Sequence, residues 1–419
     1  MHAKARQFLL VAALLLLPGA FAQTQISIGL FPDLDSHVNA VLEQFQAENP
    51  DIKVEVRVLQ HGDHHTALVT NLATGSGAAD VVAIDVGFIA RFVADGGLVD
   101  LNAAPYNASQ YQDLFAEYAW LQSSTTDGRL IAMPTDLGPG VMFYRRDRFE
   151  QVGANIDDVI ADWNSYVEFG RQVTRDTDGD GKVDVFLIAD ASDVARAIMR
   201  SNIAAGDGVF FDAAGNALVE SDRFKEAFRI AKEIRDAGLD ARIGSWTNEW
   251  YEAFKRGTVA TQLSGAWLLG HLQNWMAPET AGMWGASDLP NGIYGSWGGS
   301  FYGIPEQSQN KEAAWKLVQF LTTRPDIQLA AFERIGAFPA VTSTYGDALF
   351  DEEIPFLAGQ KARQLFARVA QNIEGRATNP GDQIAEEIVN SALSQVLDEG
   401  RSIDEALAEA QRLISRRAR

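Results

Sequence analysis

Strand-like and helix-like segments alternate near the start of the chain, and this alternation restricts the possible folds more than any other feature. Residues 26–30 read as a short strand, and residues 38–45 carry apolar side chains at the i, i+3, i+4 and i+7 positions of one helix face. Residues 52–58 then alternate apolar and charged side chains, and an apolar strand spans residues 80–84. Because strands that alternate with helices form layered sheets, we predict an α/β fold.

The N-terminal residues 1–22 have the features of a cleavable signal peptide. A basic start with Lys4 and Arg6 precedes an apolar run over residues 8–17, and an A-x-A pattern ends at Ala22. The apolar run is shorter than the roughly 20 residues that span a bilayer. We therefore expect an exported chain that begins at Gln23.

Composition limits the partners of the chain. The sequence contains no cysteine, so it offers no disulfide, no thiolate metal site and no N-terminal cysteine for a lipid anchor. An exported chain without an anchor is retained only by an outer membrane, so the periplasm is the expected location. The formal net charge of -21 makes nucleic acids and anionic lipid surfaces poor partners, and we expect no nucleic acid to bind.

Six tryptophans cluster between residues 246 and 297, and several of them stand next to glycine. Indole rings stack on the flat faces of sugars, and glycine lets the backbone approach sugar hydroxyls. This combination is typical of a carbohydrate-binding cleft. The candidate ligand-binding residues of this region are Trp250, Trp267, Trp297, Gly298 and Gly299.

Each of these candidates also has a purely structural interpretation. Trp267 could pack beneath a hinge, and the segment from Trp297 to Ser300 could be a glycine turn between two strands. Trp250 stands four residues after Trp246, so both rings could belong to one buried helix face. The sequence leaves these alternatives open.

Three aspartates are candidates for hydrogen bonds to sugar hydroxyls, because an ionised carboxylate accepts several such bonds. Asp85 follows the strand at residues 80–84, and open α/β sheets bind ligands at the carboxyl ends of their strands. Asp136 follows a strand-like segment over residues 130–134, and Asp33 lies in the loop after the first strand. For each of them, a helix cap or a turn is the alternative.

An acidic loop over residues 176–184 matches the first part of an EF-hand Ca²⁺ loop, with acidic side chains at loop positions 1, 3, 5 and 9 and glycine at position 6. Position 12 is Leu187 rather than the bidentate glutamate. We predict a structural Ca²⁺ site, with a solvated acidic turn as the alternative, and no organic cofactor. The predicted ligands are Asp176, Asp178, Asp180, Lys182 through its carbonyl oxygen, and Asp184.

Signatures of catalysis are missing from the sequence. It contains no G-x-S-x-G elbow, no H-E-x-x-H motif and no Walker phosphate loop. A glycosidase needs two carboxylates at a set separation, and nothing singles out such a pair among the 56 acidic residues. We therefore predict that the protein is not an enzyme, and we keep a secreted carbohydrate-active enzyme as the alternative of a different class.

Four segments carry a family resemblance in their order along the chain. They are DVVAIDVGFIARFVADGGLVDL, LIAMPTDLGPGVMFYRRDRFEQVGA, NKEAAWKLVQFLTTRPDIQ and GRSIDEALAEAQRLI. They resemble the substrate-binding proteins of carbohydrate ABC transporters, the maltose-binding type of extracellular solute-binding protein family 1. The resemblance covers nearly the whole chain after residue 22. It implies a type II periplasmic binding protein fold, in which two discontinuous α/β lobes are joined by a hinge.

The resemblance also implies boundaries for the two lobes. The first lobe would comprise residues 23–134 and 297–335, and the second residues 140–290 and 341–419. The hinge crossings would lie near residues 135–140, 291–296 and 336–341. Each crossing contains proline or glycine, which is consistent with a change of direction there.

The resemblance supports one site residue already named and adds another. It matches Trp267 to the Gly-x-Trp element whose indole stacks on the bound sugar. It also places residues 61–65 at the start of a helix that borders the cleft, so His64 is a candidate hydrogen-bond partner of the sugar, with a surface position as the alternative. A zinc site is not predicted here, because the adjacent His64 and His65 do not easily face one metal.

The resemblance implies capture of a carbohydrate, docking on the membrane permease subunits of an ABC importer, and no chemistry. We expect a monomer. Residues 190–202 contain no aromatic ring where maltose-binding proteins supply rings, and residues 382–387 contain none either. We therefore expect a mono- or oligosaccharide other than maltose. A glycerol phosphodiester or another polyol is the alternative ligand, with Arg196 and Arg200 as the candidate partners of an anion.

Overall fold

The computed structural model describes residues 23–125, 127–374 and 378–418. The predicted signal peptide, residues 1–22, lies outside these ranges, and its cleavage stays a prediction. No helix in the described part of the chain is long and apolar enough to cross a membrane.

Strands and helices alternate over the first half of the described chain, and helices dominate its end. The strands are β1 (Thr24–Leu30), β2 (Ile52–Val58), β3 (Val81–Asp85), β4 (Ala132–Arg145), β5 (Thr261–Gly265), β6 (Trp284–Ser287), β7 (Ser296–Gly303) and β8 (Phe338–Pro339). The α-helices are α1 (Leu34–Glu48), α2 (His61–Thr74), α3 (Val86–Asp95), α4 (Glu117–Gln122), α5 (Arg146–Val152), α6 (Ile156–Val159), α7 (Trp163–Val173), α8 (Ala191–Met199), α9 (Asp222–Asp236), α10 (Asn248–Arg256), α11 (Leu268–His271), α12 (Lys311–Thr322), α13 (Pro325–Ile335), α14 (Ala362–Gln371), α15 (Asp382–Asp398) and α16 (Ile403–Arg417).

The larger sheet has the strand order β2-β1-β3-β7-β4 and confirms the predicted α/β fold. β1 pairs in parallel with β2 and with β3, and the helices α1 and α2 connect these strands. Four of the five residues of β3 are buried, as expected for a central strand that is covered on both faces. Because β1 and β3 run in the same direction, their carboxyl ends meet at one edge of the sheet.

β4 passes from this sheet into a second one. Its first half pairs antiparallel with β7 and β8, and its second half pairs antiparallel with β5 and β6. The register shifts twice between Pro134 and Pro139, where the strand changes sheet. A Cβ atom on Gly138 would lie 2.0 Å from the carbonyl oxygen of Trp297, so only glycine lets the two strands approach this closely.

The three predicted hinge crossings lie side by side, because β8 and the start of β7 both pair with the irregular part of β4. The exact boundaries of the lobes stay a prediction. One large cluster of buried side chains surrounds β1, β3 and α1 and continues beneath the hinge through Trp250, Phe254 and Trp284. The second large cluster surrounds α8, α9 and α15.

The two lobes also touch each other outside the hinge. The hydroxyl of Thr378 donates a hydrogen bond to the carbonyl oxygen of Gln122 at 2.9 Å. The helices α3 and α15 pack against each other nearby in the cleft. By the predicted boundaries, Gln122 and α3 belong to the first lobe, and Thr378 and α15 belong to the second. The lobes are therefore in contact on both sides of the cleft that they enclose.

Candidate functional site

A cavity of about 790 Å³ lies where the two lobes meet. Its volume is in the upper part of the range of about 300–1,000 Å³ that ligand pockets occupy. Seven of the nine predicted ligand-binding residues line it: Asp33, Asp85, Asp136, Trp267, Trp297, Gly298 and Gly299. The wall also contains residues that the sequence did not single out, among them His61, Phe210, Trp246, Tyr251 and His271.

Asp85, Ser300 and Asp136 form one row across the larger sheet. Asp85 of β3 is paired with Ser300 of β7, and Ser300 is paired with Asp136 of β4. Residues that face each other on neighbouring strands project from the same side of a sheet. Neighbouring strands lie about 4.7–4.9 Å apart, so the two aspartates stand about two strand spacings apart with a hydroxyl between them. The register of the sheet thus brings two carboxyl groups and one hydroxyl to the cavity.

Asp85 is both a helix cap and a wall residue. One carboxylate oxygen accepts a hydrogen bond from the N–H of Gly87 at 2.8 Å and caps α3. The other lies 3.6 Å from Nε2 of His61. Burial disfavours the ionised form, but the interactions with His61 and Gly87 outweigh it and hold the pKa of Asp85 below its ordinary value. Asp85 therefore caps α3, as the alternative interpretation expected, and it also lines the cavity.

Asp136 has a less favourable environment for its charge. Burial raises the pKa of Asp136 to about 7, with a contribution from the charge of Asp85, and the hydrogen bonds from Ser300 offset only part of this rise. Its Oδ1 atom is buried and has no hydrogen-bond partner among the described residues. Near neutral pH this carboxyl group therefore exists in both protonation states.

Asp33 precedes α1 but does not cap it with its side chain. Its φ of 77° lies in the left-handed region, which aspartate tolerates better than most residues. Its Oδ2 atom lies 3.1 Å from Nδ1 of His271, and Nε1 of Trp275 lies 3.1 Å from the same nitrogen. The tautomer with a proton on Nδ1 donates to Asp33, whereas the other tautomer accepts from Trp275, so only one of these two hydrogen bonds forms at a time. The His271 ring also contacts Trp246 and Trp267 edge-on.

Trp267 and Trp297 belong to an aromatic surface that lines the cavity. The indole N–H of Trp267 donates to the carbonyl oxygen of Trp297 at 2.7 Å, which fixes the plane of the Trp267 ring. Gly298 and Gly299 have φ values of 103° and 127°, and a Cβ atom on Gly298 would lie 2.6 Å from Nε1 of Trp267. Glycine is therefore required for the backbone of β7 to pass this close to the indole ring.

Trp250 lies in the core rather than on the cavity wall. It is 2% exposed and packs against Phe254, with ring centroids 4.7 Å apart, so the buried-face alternative holds for this ring. Trp246 instead lines the cavity with 53% of its surface exposed. The hydroxyl of Thr247 accepts a hydrogen bond from the N–H of Trp250 and caps α10, so Trp246 stands before the helix. A threonine three residues before Trp250 was the signal in the sequence that separates the two rings.

His64 also lies inside the protein rather than on the cavity wall. It is 5% exposed, and its Nε2 atom is 2.7 Å from the carbonyl oxygen of Ala83. His65 is fully buried, with Nδ1 at 2.7 Å from the carbonyl oxygen of His61 and Nε2 accepting from the N–H of Asp85 at 3.0 Å. Burial lowers the pKa of His65 to about 4. The surface alternative is wrong for His64, and His64 does not line the cavity as predicted; His61 is the histidine that does.

The second lobe contributes a charged pair to the wall. The guanidinium group of Arg200 lies 5.5 Å from the centroid of the Trp297 ring, and its Nη2 atom is 2.5 Å from Oε1 of Glu386. Arg196, the other candidate for an anionic ligand, donates to Oδ1 of Asp193 at 3.0 Å. Both arginines are therefore already bound to carboxylates of the protein.

The acidic loop lies between α7 and α8. Asp176, Asp178 and Asp184 each bring a carboxylate oxygen to within 4.8 Å of the others. Backbone N–H groups of two loop glycines donate to Asp176 and lower its pKa. The N–H of Lys182 donates to Asp180 at 2.8 Å, and both of these side chains are largely exposed. The Ca²⁺ site and its ligand set stay a prediction.

Known proteins match the chain over most of its length. The family model for bacterial extracellular solute-binding proteins matches residues 40–354. The chain is similar to the arabinooligosaccharide-binding protein of Halalkalibacterium halodurans, with 24% identity over 385 residues that cover 88% of this chain and 83% of the relative.

Solved structures match the fold. One is an extracellular solute-binding protein of family 1, with 26% identity, a TM-score of 0.80 and coverage of 94% of this chain and 100% of the other. Another is the ABC transporter associated binding protein of B. animalis subsp. lactis Bl-04 in complex with beta-1,6-galactobiose, with 23% identity, a TM-score of 0.77 and coverage of 94% and 97%. These matches confirm the predicted two-lobed periplasmic binding protein fold.

Proposed function

This chain belongs to the family of bacterial extracellular solute-binding proteins, and from that premise we propose that it captures a sugar or oligosaccharide and delivers it to an ABC importer. The observation that carries the proposal is the composition of the cavity wall. The row of Asp85, Ser300 and Asp136 shares one cavity with the indole rings of Trp267 and Trp297.

The two kinds of wall residue suit the two kinds of surface on a sugar ring. Hydroxyl groups surround the edge of the ring, and the ionised carboxylate of Asp85 accepts charge-assisted hydrogen bonds from them. Asp136 titrates near neutral pH, so it can donate as well as accept. The C–H groups on the face of the ring pack on the indole of Trp267. Together these contacts fix both the plane and the rotation of the sugar.

The charges on the wall favour a neutral ligand over an anionic one. Carboxyl groups of Asp33, Asp85, Asp382 and Glu386 line the cavity, and Arg200 lies beside Glu386. A phosphate group would be repelled by these carboxylates, and no free arginine cluster offsets that repulsion among the described wall residues. The glycerol phosphodiester alternative therefore has no support from the cavity.

Binding to both lobes provides a means of signalling that the ligand is present. The lobes already touch through Thr378 and Gln122 and through α3 and α15. A ligand that contacts both lobes binds more tightly to the closed arrangement and shifts the population towards it. We propose that the closed form docks on the membrane permease subunits. We place the protein in the periplasm as a monomer, after removal of residues 1–22.

The rival proposal is a carbohydrate-active enzyme, since Asp85 and Asp136 are a pair of carboxyl groups in one cavity. The matching family and the relatives are binding proteins. In addition, Asp85 is already engaged by the Gly87 N–H and lies near His61, which suits a fixed hydrogen-bond acceptor. Binding without turnover is therefore the function that the site supports best.

Intrinsic tryptophan fluorescence of residues 23–419 tests the proposal. The panel contains arabinose, arabinobiose, arabinotriose, galactose, lactose, beta-1,6-galactobiose, maltose and glycerol phosphate. We expect a saturable change with at least one neutral sugar, no response to glycerol phosphate, and no reducing sugar released from the oligosaccharides. Silence across the neutral sugars with a folded protein contradicts the proposal. Steady release of reducing sugar supports the enzyme instead.

A further inference from the structure

Trp246 combines features that packing of the core does not explain. Its φ of 67° lies in a region that bulky residues rarely adopt. Its ring lines the cavity and is more than half exposed, although Trp250 fills the core four residues later. Strained backbone conformations of this kind concentrate at ligand-binding sites, where the surrounding structure holds them. The position of the ring therefore points to a role in the cavity.

The neighbours of Trp246 hold its ring as a continuation of Trp267. The two indole planes are inclined by 17°, with centroids 5.5 Å apart. At this spacing the rings are offset neighbours, and a sugar ring does not fit between them. Trp250 and His271 support the Trp246 ring from two other sides, each with its centroid 5.4 Å away. The exposed indole of Trp246 and the half-buried indole of Trp267 therefore form one stepped apolar platform that is longer than a single ring.

The platform has a defined direction relative to the carboxyl groups. Trp267 is bonded to the Trp297 carbonyl oxygen, on the same strand that carries Ser300. Trp246 neighbours Trp267, with ring centroids 5.5 Å apart, and Tyr251 also lines the cavity. The Trp267 end of the platform thus adjoins the strand that carries Ser300, and the Trp246 end adds a further indole ring.

We propose that Trp246 forms a second stacking subsite, so that the ligand contains at least two sugar rings. This inference rests on the proposed function. The first sugar ring lies on Trp267 and bonds to the row of Asp85, Ser300 and Asp136. The second ring lies on the exposed face of Trp246. A monosaccharide fills only the first subsite and leaves the indole of Trp246 in water.

Two variants at one position test the proposal. Trp246→Asn removes the ring and adds little backbone strain, because asparagine tolerates the left-handed region. Trp246→Phe keeps a flat ring at the same place and is the matched control. The affinities of wild type and both variants are measured by calorimetry, since a fluorescence signal would change with the loss of a tryptophan. The probes are galactose with beta-1,6-galactobiose, and arabinose with arabinobiose.

We expect wild type to bind one of the disaccharides at least about tenfold more tightly than its monosaccharide. Trp246→Asn should weaken that disaccharide at least about tenfold and the monosaccharide less than about twofold, while Trp246→Phe should retain most of the affinity. Equal losses for both sugars, or an unchanged disaccharide affinity, would overturn the second subsite.

The comparison within wild type separates this inference from the proposed function and does not depend on the folding of a variant. If wild type binds a monosaccharide as tightly as the disaccharide, sugar binding stands and the second subsite is wrong. If wild type binds no neutral sugar, the proposed function and the second subsite fall together.

Discussion

The cavity has two walls that are built in different ways. The polar wall, defined by Asp33, His61, Asp85, Asp136 and Ser300, stands mainly on strand ends and on the register of the larger sheet. The aromatic wall, defined by Trp246, Tyr251, Trp267, His271 and Trp297, depends on a hydrogen bond between an indole and a backbone carbonyl, on two glycines with positive φ, and on a strained tryptophan. The positions of the side chains on the polar wall follow from regular strand pairing. Those on the aromatic wall depend on irregular backbone.

We expect the two walls to contribute differently to binding. Hydrogen bonds to fixed carboxylates depend on angle and distance, so they need groups that a rigid sheet holds in place. Apolar contact depends on area and tolerates small displacements, so it can be supplied by rings on less regular backbone. We therefore expect the polar wall to set the orientation of the sugar and the aromatic wall to supply most of the affinity.

Removal of the Trp267 ring should have the largest effect. Trp267→Ala removes the stacking face that adjoins the polar wall and the hydrogen bond to the Trp297 carbonyl oxygen. We expect a loss of about 2–4 kcal/mol, or roughly 30- to 1,000-fold in Kd, as for a central aromatic contact. Calorimetry with the sugar identified by fluorescence measures it, and circular dichroism checks folding. A Kd within about threefold of wild type would show that the aromatic wall does not dominate affinity.

Neutralising Asp85 should have the next largest effect. Asp85→Asn keeps an oxygen that can cap α3, and asparagine is as good a cap as aspartate, so stability should change little. The variant loses the charge of the acceptor, and hydrogen bonds to charged groups contribute about 1.5–3 kcal/mol. We expect Kd to rise by roughly 10- to 100-fold with Tm nearly unchanged. A large fall in Tm without a change in Kd would make Asp85 a structural cap alone.

Asp136 should make the stability of the protein depend on pH. Its pKa is about 7 in the folded state, whereas an unfolded aspartate has a pKa of about 3.9. Between these values the folded state holds the proton and the unfolded state does not, so this group lowers the free energy of unfolding as the pH rises from about 4 to 7.

Asp136→Asn removes this dependence. Relative to wild type, the variant should gain about 2–3 kcal/mol of stability between pH 5 and pH 8, because the folded-state pKa of about 7 lies about two pH units above the start of this range. Denaturant unfolding of both proteins at the two pH values measures the difference. A difference that is the same at pH 5 and pH 8 would show that Asp136 is ionised throughout this range.

The polar wall was largely predictable from the sequence, and the aromatic wall only in part. Asp85 ends the apolar strand β3, and the carboxyl ends of parallel strands collect at one edge of a sheet, so this residue could be placed without coordinates. Asp136 was expected to follow a strand but lies inside β4, and its pairing with Ser300 brings it to the cavity. His64 could not be separated from His61 in this way. Three residues make most of one helical turn, and which face of α2 is buried depends on Phe88 and the other side chains that pack against it.

Trp246 was missed for a different reason. Its φ is positive, and its ring contacts the rings of Trp250, Trp267 and His271. Trp267 and His271 lie more than 20 residues away in the sequence, so a local pattern does not show these contacts. The spacing of four residues to Trp250 suggested one helix face, but the helix begins after Thr247. The N-cap residue Thr247 shows where the helix begins, and this local signal is more informative than the spacing of the two tryptophans.

The acidic loop should have the smallest effect on either wall. If it binds Ca²⁺, millimolar Ca²⁺ should raise the Tm of wild type by mass action, and Asp176→Asn should abolish the rise. Because the loop lies between α7 and α8 rather than on a cavity wall, the variant should change Kd for the sugar by less than about twofold. Scanning calorimetry with Ca²⁺ or with EDTA measures the first effect. An equal Tm in both solutions would contradict the Ca²⁺ site and support the alternative, a solvated acidic turn.

Hydrogen exchange with and without the bound sugar tests most directly whether one ligand engages both walls. We predict slower exchange of backbone amides around Asp85 and Asp136 on the polar wall, together with slower exchange around Trp246 and Trp267 on the aromatic wall. Protection confined to one wall would contradict a shared ligand. Protection that avoids both walls would place the sugar elsewhere on the protein.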